Sequence, residues 1–372
     1  MGSHDAAQAS IDLDVIAGNV ASVRERVAPV AVMAVVKAGG YGHGAVEAAR
    51  AALRGGADWL GVVHVAEALE LRAAGVGGPL LCLMAIDSAD HRAAIAADVD
   101  LSAGSADMVR RLASAAAEAG RPARVHLKAD TGMGRGGATP ADWPRVLEAA
   151  VEAQAAGRLS VVGLWSHFAS SDIPGDRSVA AQLDVFGTAL EVAKMLGVTP
   201  EVRHIANTAA TLEVPEAQYD MVRVGGGIYG LSTLPGGPPR WLRPAMTLRS
   251  RLVLVKRVPA GTGVSYGHRY VTPRETTLGL VPLGYADGIP RTATGHPLLF
   301  ARGRRWPIAG TVCMDQVVID FGDEPVAVGD EVVLFGPGDD GEATAQEWGD
   351  TLGTISYDIV TGIGTRVPRS YS

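Results

Sequence analysis

The segment "PVAVMAVVKAGGYGHGAVEAARAALRGGADWLGVV" (residues 29–63) contains a complete strand–helix–strand unit. Its apolar runs "PVAVMAVV" (29–36) and "DWLGVV" (58–63) have the length and β-branched content of buried strands. Between them, "GAVEAARAALRGG" (44–56) has the apolar spacing and the glycine stop of a surface helix. Because a strand–helix–strand unit is the building block of a parallel sheet, this stretch indicates an α/β fold.

The same alternation continues along the chain to about residue 225. Six more strand-like runs follow, separated by Ala-rich helical segments: "PLLCLMA", "DVDLSA", "RVHLKA", "LSVVGLW", "VRHIA" and "YDMVRV". A doubly wound sheet is the competing architecture. Eight strand–helix units without a reversal signal favour a (β/α)8 TIM-type barrel, which we assign to residues 10–235.

The composition changes near residue 235. "LPGGPPRWLRP" (234–244) is typical of a linker, and closely spaced strands with Gly-, Pro- and Asp-rich turns come after it. One helix is predicted in this part, near "TAQEWGDTLG" (344–353). The sequence therefore predicts a C-terminal all-β domain over residues 244–372.

Composition excludes several classes of protein. The chain has 372 residues, of which 47% are hydrophobic, and a formal net charge of −7. An acidic chain does not suit a nucleic-acid or anionic-membrane surface, and no apolar run is long enough to span a bilayer. Cys82 and Cys313 are too far apart to suggest a zinc site or a disulfide framework. Since "MGSHDAAQAS" (1–10) lacks the apolar core of a signal peptide, we expect a cytoplasmic protein.

Polar residues cluster where the predicted barrel strands end. Any one of them could be structural, since lysine stems, for example, often only reach water. In a barrel, however, catalytic groups lie at the carboxyl ends of the strands, so residues that share this rim indicate an active site. No metal-ligand spacing and no G-x-S-x-G nucleophile turn accompany them. The rim residues are Lys37, Tyr41, Lys128, Arg135, His167, Asn207, Thr208 and Arg223.

"GMGRGG" (132–137) matches a dinucleotide-binding G-x-G-x-x-G pattern. That fingerprint also requires an acidic residue at the end of the next strand to bind a ribose. The next strand ends in Ser166 and His167 instead. We therefore reject a dinucleotide site.

"MVRVGGGIYG" (221–230) has a different use. Its three consecutive glycines expose backbone N–H groups at the barrel mouth, after the strands where phosphates often bind. A lysine at another strand end, Lys37, could form a Schiff base with a phosphorylated aldehyde held there. This combination points to pyridoxal 5'-phosphate as the cofactor.

These motifs resemble those of the alanine racemases, whose pyridoxal phosphate lies in a barrel with an appended β-domain. The resemblance extends from "IDLDVIAGNV" to "TRVPRSY", nearly the whole chain. The matching pieces occur in the family's order: "AVVKAGGYGHG", "KADTGMGR", "WSHFA", "HIANTAA", "MVRVGGGIYG", "VSYGHRY", "GYADGIPR", "GTVCMDQ" and "GTISYDIVTGIGTRVPR". It implies a racemase that interconverts L- and D-alanine and supplies D-alanine for bacterial peptidoglycan.

The resemblance also implies roles for individual residues. Lys37 would be the Schiff-base lysine and the base for one face of the amino acid. Tyr266, supplied by the second subunit of a homodimer, would be the base for the opposite face. The positions that match those holding the phosphate are Tyr41, Thr208, Gly225, Gly226 and Tyr357.

Other positions surround the cofactor and the substrate in the family. Arg223 matches the arginine at the pyridine nitrogen, and His167 the histidine between it and the catalytic tyrosine. Arg135 matches an arginine beside the cofactor hydroxyl, and Lys128 a lysine that is often carbamylated. We also place Asn207, beside Thr208, with the cofactor-binding residues. The second-subunit positions near the substrate carboxylate are Tyr285, Met314 and Asp315.

The chain departs from the family pattern at three places. The usual K-A-N-A-Y-G-H-G has become "KAGGYGHG" here, with Gly39 and Gly40. Two adjacent glycines are expected to loosen the turn after the lysine. Thr208 replaces a serine and keeps its hydroxyl, while Gly226 replaces a bulkier residue.

Three other functions remain open from the sequence. A basic-amino-acid decarboxylase of the same fold type would need an acidic residue for the distal amine, and would leave "VSYGHRY" without a role. A racemase of broader specificity would resemble secreted proteins with leader peptides. A barrel-type pyridoxal-phosphate carrier would lack the C-terminal β-domain.

Overall fold

The computed structural model describes residues 7–86 and 89–372. The first six residues, where the "MGSHDAAQAS" prediction begins, lie outside the described part. Strand β1 (Ala7–Ile11) precedes a (β/α)8 barrel, and a strand-rich domain follows the barrel. This architecture confirms the predicted fold class.

Eight parallel strands form the barrel wall, in the order β8-β7-β6-β5-β4-β3-β2-β9. Their edges, β8 and β9, are linked by hydrogen bonds from the Asp220 N–H to the Arg203 carbonyl (3.1 Å) and from the Arg223 N–H to the Ala206 carbonyl (3.0 Å). These bonds nearly close the sheet on itself. The strands are β2 (Ala31–Val35), β3 (Trp59–Val62), β4 (Leu80–Cys82), β5 (Asp100–Ala103), β6 (Ala123–Lys128), β7 (Leu159–Trp165), β8 (Val202–His204) and β9 (Met221–Val224).

Helices pack outside the strands, and their ends follow the local sequence. Asp12, Ser105 and Asp176 cap three helix N-termini by accepting backbone N–H bonds, and Gly120 ends a helix in the left-handed conformation. The barrel helices are α1 (Leu13–Val27), α2 (Ala45–Arg54), α3 (Val65–Ala73), α4 (His91–Ala96), α5 (Ala106–Ala119), α6 (Trp143–Ala155), α7 (Arg177–Met195) and α8 (Thr208–Glu213).

The C-terminal domain is built from mostly antiparallel strands and two α-helices, α9 (Ala345–Leu352) and α10 (Ser356–Thr361). The predicted helix is α9, and α10 was not anticipated. The strands are β10 (Met246–Arg251), β11 (Leu254–Val258), β12 (Gly263–Val264), β13 (Tyr270–Val271), β14 (Thr276–Val281), β15 (Leu299–Ala301), β16 (Arg304–Trp306), β17 (Val317–Gly322), β18 (Glu331–Phe335) and β19 (Arg369–Tyr371).

The first strand belongs to the C-terminal domain, which the division at residues 10–235 and 244–372 does not capture. β1 lies between β10 and β19 in a six-stranded sheet, antiparallel to β10 and parallel to β19. Its partners come from the other end of the chain, so local sequence patterns carry no signal for this pairing.

The buried hydrophobic residues of the barrel and of the six-stranded sheet form one continuous core. The two parts therefore pack against each other as a unit, with α10 beside the barrel mouth. No helix among the described residues has both the length and the apolar character needed to cross a membrane.

Candidate active site

A cavity of about 720 Å³ opens at the carboxyl ends of the barrel strands. This volume suits a cofactor together with a small substrate. Eleven residues predicted from the sequence line it: Lys37, Tyr41, Lys128, Arg135, His167, Asn207, Thr208, Arg223, Gly225, Gly226 and Tyr357.

The cavity is strongly cationic. Lys37, Lys128, Arg135 and Arg223 line it, and no Asp or Glu of the described chain is among its lining residues. In a protein of net charge −7, this concentration of positive charge indicates an anionic ligand.

Lys37 ends the apolar run of β2 and begins a left-handed helical turn. The φ angles of Ala38, Gly39, Gly40, Tyr41 and Gly42 are 54°, 61°, 64°, 52° and 79°. L-residues pay about 1–2 kcal/mol each for this conformation, whereas glycine adopts it freely. The two glycines are therefore suited to the turn.

Glu67 anchors the start of this turn. One of its carboxylate oxygens accepts a hydrogen bond from the Ala38 N–H (2.6 Å), and the other accepts from the N–H groups of Val63 (2.9 Å) and His64 (3.0 Å). Burial and the nearby Arg135 lower the pKa of Lys37, while Glu67 acts in the opposite direction. A lowered pKa increases the fraction of neutral amine near pH 7, which is the form that acts as a nucleophile or accepts a proton.

Across the cavity, adjacent glycines leave room for two tyrosine hydroxyls. A Cβ on Gly225 would lie 2.2 Å from the Tyr41 hydroxyl, and one on Gly226 would lie 2.2 Å from the Tyr357 hydroxyl. Thr208 Oγ1 accepts hydrogen bonds from the Gly225 N–H (3.1 Å) and the Gly227 N–H (3.4 Å). Hydroxyls and N–H groups thus converge on one place, which we call the glycine–tyrosine cradle.

The two tyrosines of the cradle stay protonated. Burial raises the pKa of Tyr357 to about 12 and moves the pKa of Tyr41 further upward still. A neutral phenol donates a hydrogen bond, which suits a phosphate oxygen. The cradle therefore has the donor set that a phosphate needs.

Arg223 is the most buried cation of the site, with 3% of its surface exposed. Its Nη2 donates to His167 Nδ1 and to the Ser166 carbonyl (2.9 Å each), and its Nη1 donates to His204 Nδ1 (3.1 Å). Its Nε–H has no partner among the described residues, although the side chain lines the cavity. The Nε–H is therefore available to a ligand in the cavity.

The pKa values of two other basic groups of the site, Lys128 and His167, are also lowered. Burial, Arg135 and Arg223 together lower the pKa of Lys128 to about 8. Burial and Arg223 hold the pKa of His167 well below its ordinary value. His167 is therefore neutral near pH 7. Because its Nδ1 accepts a hydrogen bond from Arg223, the ring proton is on Nε2.

The loop "GMGRGG" does not offer free N–H groups to a phosphate. The carboxylate of Asp130 accepts hydrogen bonds from the N–H groups of Gly132, Met133 and Gly134, at 3.0–3.2 Å. A side-chain anion therefore already fills this loop. This geometry agrees with the rejection of a dinucleotide site.

Four predicted site residues lie away from the cavity of their own chain: Tyr266, Tyr285, Met314 and Asp315. The first three are 71%, 46% and 52% exposed. Thr311 donates to the Tyr266 carbonyl (2.9 Å), and the Tyr285 N–H donates to the Cys313 carbonyl (3.0 Å). These bonds hold the residues together as one exposed group on the C-terminal domain, which we call the tyrosine face.

Family models match both parts of this architecture. Residues 11–233 match the N-terminal domain of alanine racemase, and residues 245–371 match its C-terminal domain. The chain belongs to the alanine racemase family.

Individual members of the family are similar to this chain over nearly their whole length. The alanine racemase of Frankia casuarinae is 57% identical over 98% of this chain and 95% of its own, and that of Thermobifida fusca is 56% identical over 98% of both. The crystal structure of alanine racemase from the D-cycloserine-producing Streptomyces lavendulae superposes with a TM-score of 0.97, at 51% identity over 99% of this chain and 97% of that one. The predicted enzyme class, an amino-acid racemase, is confirmed.

Several residues of this racemase site were not predicted from the sequence. Glu67 looks like an ordinary residue in the first turn of α3, yet it fixes the turn after Lys37. His204 ends a strand but points into the barrel core, where it meets Arg223. Asn207 was predicted to bind the cofactor, and its side chain also caps α8 by accepting the Ala210 N–H (3.0 Å). Only the Asn207 cap has a recognisable sequence signal, an Asn directly before a helix.

Proposed function

We propose that the protein interconverts L- and D-alanine with pyridoxal phosphate bound in the cationic cavity, by a two-base mechanism. The observation that carries the proposal is the position of Lys37 on the same cavity as the glycine–tyrosine cradle, in a family of alanine racemases. A lysine and a phosphate site on one cavity are what a phosphorylated aldehyde cofactor requires.

The residues present fit this cofactor. The cradle, formed by Tyr41, Tyr357, Thr208, Gly225 and Gly226, would hold the phosphate. The three hydroxyls and the Gly226 N–H can donate hydrogen bonds, whereas the Gly225 N–H is bound to Thr208 and Gly225 provides space. When bound, pyridoxal phosphate delocalises negative charge from the substrate Cα and so acidifies its proton. The lowered pKa of Lys37 favours covalent attachment at its amine.

Arg223 would face the pyridine nitrogen with its unpaired Nε–H. A guanidinium holds its protons tightly, so it donates a hydrogen bond without giving up the proton. Charge withdrawal from the substrate is then weaker than with a carboxylic acid at that place. This favours rapid return of the Cα proton over side reactions such as transamination.

Two bases exchange the proton on opposite faces of Cα in this proposal. Lys37 serves one face, and Tyr266 of the second subunit serves the other. An ordinary tyrosine has a pKa near ~10, so it needs nearby positive charge to act as a base. His167, which accepts a hydrogen bond from Arg223 at 2.9 Å, would pass that influence to Tyr266.

The proposal includes a homodimer with shared sites. Tyr266, Tyr285, Met314 and Asp315 are grouped on the exposed tyrosine face rather than at their own cavity. Two-fold symmetry would bring each tyrosine face to the partner's cavity. D-Alanine made in the cytoplasm would then supply peptidoglycan synthesis.

Lys128 would carry a carbamate. Its pKa of about 8 makes the neutral amine, which reacts with carbon dioxide, accessible near physiological pH. A negative group at this place would face Arg135 and steady it beside the cofactor. The mass of one added carbon dioxide on Lys128, in protein analysed without acid, tests this assignment.

Incubation with single amino acids tests the function as a whole. L-Alanine and D-alanine are each expected to reach the same zero optical rotation, and Lys37→Ala protein serves as the control. Equal turnover of L-serine would show a broader racemase. Carbon dioxide release from L-lysine would show a decarboxylase, although no acidic residue of the described cavity lining matches a distal amine. Absence of turnover would indicate a carrier.

A further inference from the structure

Three buried polar residues lie in the barrel core behind Arg223 and have no assigned role: Asp100, His126 and His204. His204 Nδ1 lies 3.1 Å from Arg223 Nη1, and His204 Nε2 lies 2.9 Å from His126 Nδ1. His126 Nε2 lies 3.3 Å from the Asp100 carboxylate. These contacts form an unbroken chain of hydrogen bonds from Arg223 to Asp100, which we call the histidine relay.

The direction of every bond in the relay follows from Arg223. A guanidinium can only donate, so His204 Nδ1 must accept. Burial and Arg223 hold the pKa of His204 well below its ordinary value, so the ring is neutral and its proton is on Nε2. His126 Nδ1 must then accept from His204. The remaining proton of His126 lies on Nε2 and points at Asp100.

The barrel wall is adapted to admit the relay. A Cβ on Gly163 of β7 would lie 2.1 Å from His126 Nδ1, so any side chain there would displace the ring. The register between β6 and β7 shifts between Val125 and His126. Trp165 stacks on His204 with ring centroids 5.7 Å apart and planes 8° from parallel. Gly163, the register shift and Trp165 thus accommodate the two imidazoles.

The relay joins a buried cation to a buried anion. The hydrogen-bond partners of Arg223 among the described residues are all neutral: the rings of His167 and His204 and the carbonyls of Ser166 and Ile205. Burial lowers the pKa of Arg223 to about 9, and three further cations, Lys37, Lys128 and Arg135, line the same cavity. A buried guanidinium with neutral partners and cationic neighbours needs an anion to offset the cost of burying its charge.

We propose that Asp100 is the counter-ion of Arg223, acting through His126 and His204, and that the histidine relay is a positioning device that keeps Arg223 charged and oriented in the active site. The side chain of Asp100 is 4% exposed, so its charge is poorly screened by water. The two neutral imidazoles, each held in one tautomer, align their dipoles between the two charges. The role in turnover rests on the proposed racemase function, whereas the relay itself does not.

The alternative is an ordinary ion pair at the bottom of the barrel. Arg124 Nε lies 2.8 Å from the Asp100 carboxylate, and the side chain of Arg124 is 38% exposed. If this pair were the only purpose of Asp100, removing either partner would have the same effect. Asp100→Asn and Arg124→Gln are therefore matched variants, since both break the pair but only the first removes the anion from the relay.

The relay can be tested without the cofactor by NMR of apo-protein with ¹⁵N-labelled histidines. We expect both His126 and His204 to be neutral with the proton on Nε2, and both N–H groups to be protected from exchange. His126→Gln assigns the signals.

In Asp100→Asn the His126 N–H signal moves upfield, because an amide oxygen is a weaker acceptor than a carboxylate. In Arg124→Gln it stays downfield. A doubly protonated ring, or a proton on Nδ1 of either residue, overturns the relay.

Kinetics of the loaded enzyme then test its role. Asp100→Asn is expected to lower kcat roughly tenfold, the effect of one distant charge that acts through two imidazoles, with KM changed by less than about twofold. Arg124→Gln is expected to keep kcat within about twofold. Equal losses in the two variants overturn the counter-ion role. A wild-type protein with the expected NMR signals but without alanine turnover would contradict the proposed function and leave the relay standing.

Discussion

Single side chains give the cavity its electrostatic character. Lys37, Lys128 and His167 are partly or fully removed from water close to Arg135 and Arg223, and the pKa of each is lowered by burial first and by these arginines second. Because each cation raises the cost of charging its neighbours, amines become available in neutral form. Burying these basic groups beside the arginines therefore destabilises the folded protein.

Lys128→Met is expected to stabilise the apo-protein at pH 7. The native pKa of Lys128, about 8, lies below its ordinary 10.5, so the unfolded chain binds more protons between these values. The lysine therefore penalises the native state fully below about pH 8, and the penalty disappears as pH rises toward 10.5. Thermal unfolding in bicarbonate-free buffer checks this. The gain should shrink as pH rises from 8 to 10.5. Lys256→Met, at an exposed lysine, should show no such trend.

Ser265, directly before Tyr266, is expected to position that tyrosine. Its φ and ψ of 61° and −171° belong to a region that favours glycine, at a cost of about 1–3 kcal/mol. Its hydroxyl donates to the Thr311 carbonyl (2.5 Å), and Thr311 Oγ1 donates to the Tyr266 carbonyl (2.9 Å). Ser265→Gly removes both the strain and the bond, so stability should change by less than about 1 kcal/mol while kcat falls roughly tenfold.

Ser265→Ala is the matched control for this prediction. It keeps the strained backbone and loses only the hydroxyl, with its hydrogen bonds to the Thr311 carbonyl and to Cys313 Sγ (3.1 Å), so it should lower the free energy of unfolding by about 1 kcal/mol. Denaturant unfolding and steady-state kinetics separate the two effects. Full kcat in Ser265→Gly would show that the strained backbone does not serve Tyr266.

Among the secondary-structure elements, the left-handed turn from Ala38 to Gly42 matters most for the site. It carries the chain from the end of β2 into the cavity wall, so that Lys37 and Tyr41 both face the ligand space. The Gly42 position is also closed to side chains, since a Cβ there would lie 2.5 Å from the Val360 carbonyl in α10. One short element thus joins the barrel to the second domain at the mouth of the cavity.

Substitutions at Gly39 measure the conformational cost of this turn alone, because a Cβ there meets nothing within 4 Å. Gly39→Val is expected to lower the free energy of unfolding by about 2 kcal/mol, since φ is 61°. Gly39→Asn should cost less than about 1 kcal/mol, because Asn tolerates this region. Chemical denaturation provides the values.

Gly18 provides the control for Gly39. It lies within α1, and a Cβ there also meets nothing within 4 Å. Gly18→Ala should stabilise the protein by about 0.5–1 kcal/mol, the opposite sign. A Gly39→Val protein as stable as wild type would mean that the turn does not persist in solution.

At the scale of the whole molecule, the C-terminal domain presents its predicted site residues in two directions. Its helix α10 brings Tyr357 to the cavity of its own chain. Its tyrosine face instead exposes Tyr266, Tyr285 and Met314 away from that cavity. A single chain therefore has the cradle in its cavity and Tyr266, the proposed second base, away from it. A symmetric dimer with shared sites would bring the two together.

Mixing two inactive variants tests this arrangement. Lys37→Ala would lack one of the two proposed bases and Tyr266→Phe would lack the other. After subunit exchange, a mixed dimer would have one site with both lesions and one site with neither. Since about half of the dimers are mixed, about a quarter of wild-type activity should return. Exchange is verified with differently tagged chains. Verified exchange without recovered activity would place both residues in the site of one chain.

Local patterns predicted most of the barrel correctly. All eight strands were found because each is an apolar run that ends in turn or polar residues, and the strand-end rule then selected eight residues that line one cavity. Gly225 and Gly226 came from the three-glycine motif, and Tyr357 came only from the family resemblance. The pairing of β1 with β10 and β19 was missed because those partners lie more than two hundred residues away. The left-handed conformation of the Gly39–Gly40 turn was not predicted, because composition shows that glycine is permissive but not which conformation it adopts.

The sequence by itself determined the barrel, the strand-end lysine, the glycine cradle and the membership of a racemase family, because each depends on short-range periodicity or on motifs in order. Only the tertiary structure decided the charges and directions within the site. Arg223 meets His204, His126 and Asp100 only because four barrel strands close around one core. The shifted pKa values of Lys37 and Lys128 likewise arise from burial and from the neighbouring Arg135 and Arg223, which are distant in sequence. Burial and through-space charge are properties of the folded chain, and no local stretch of residues contains them.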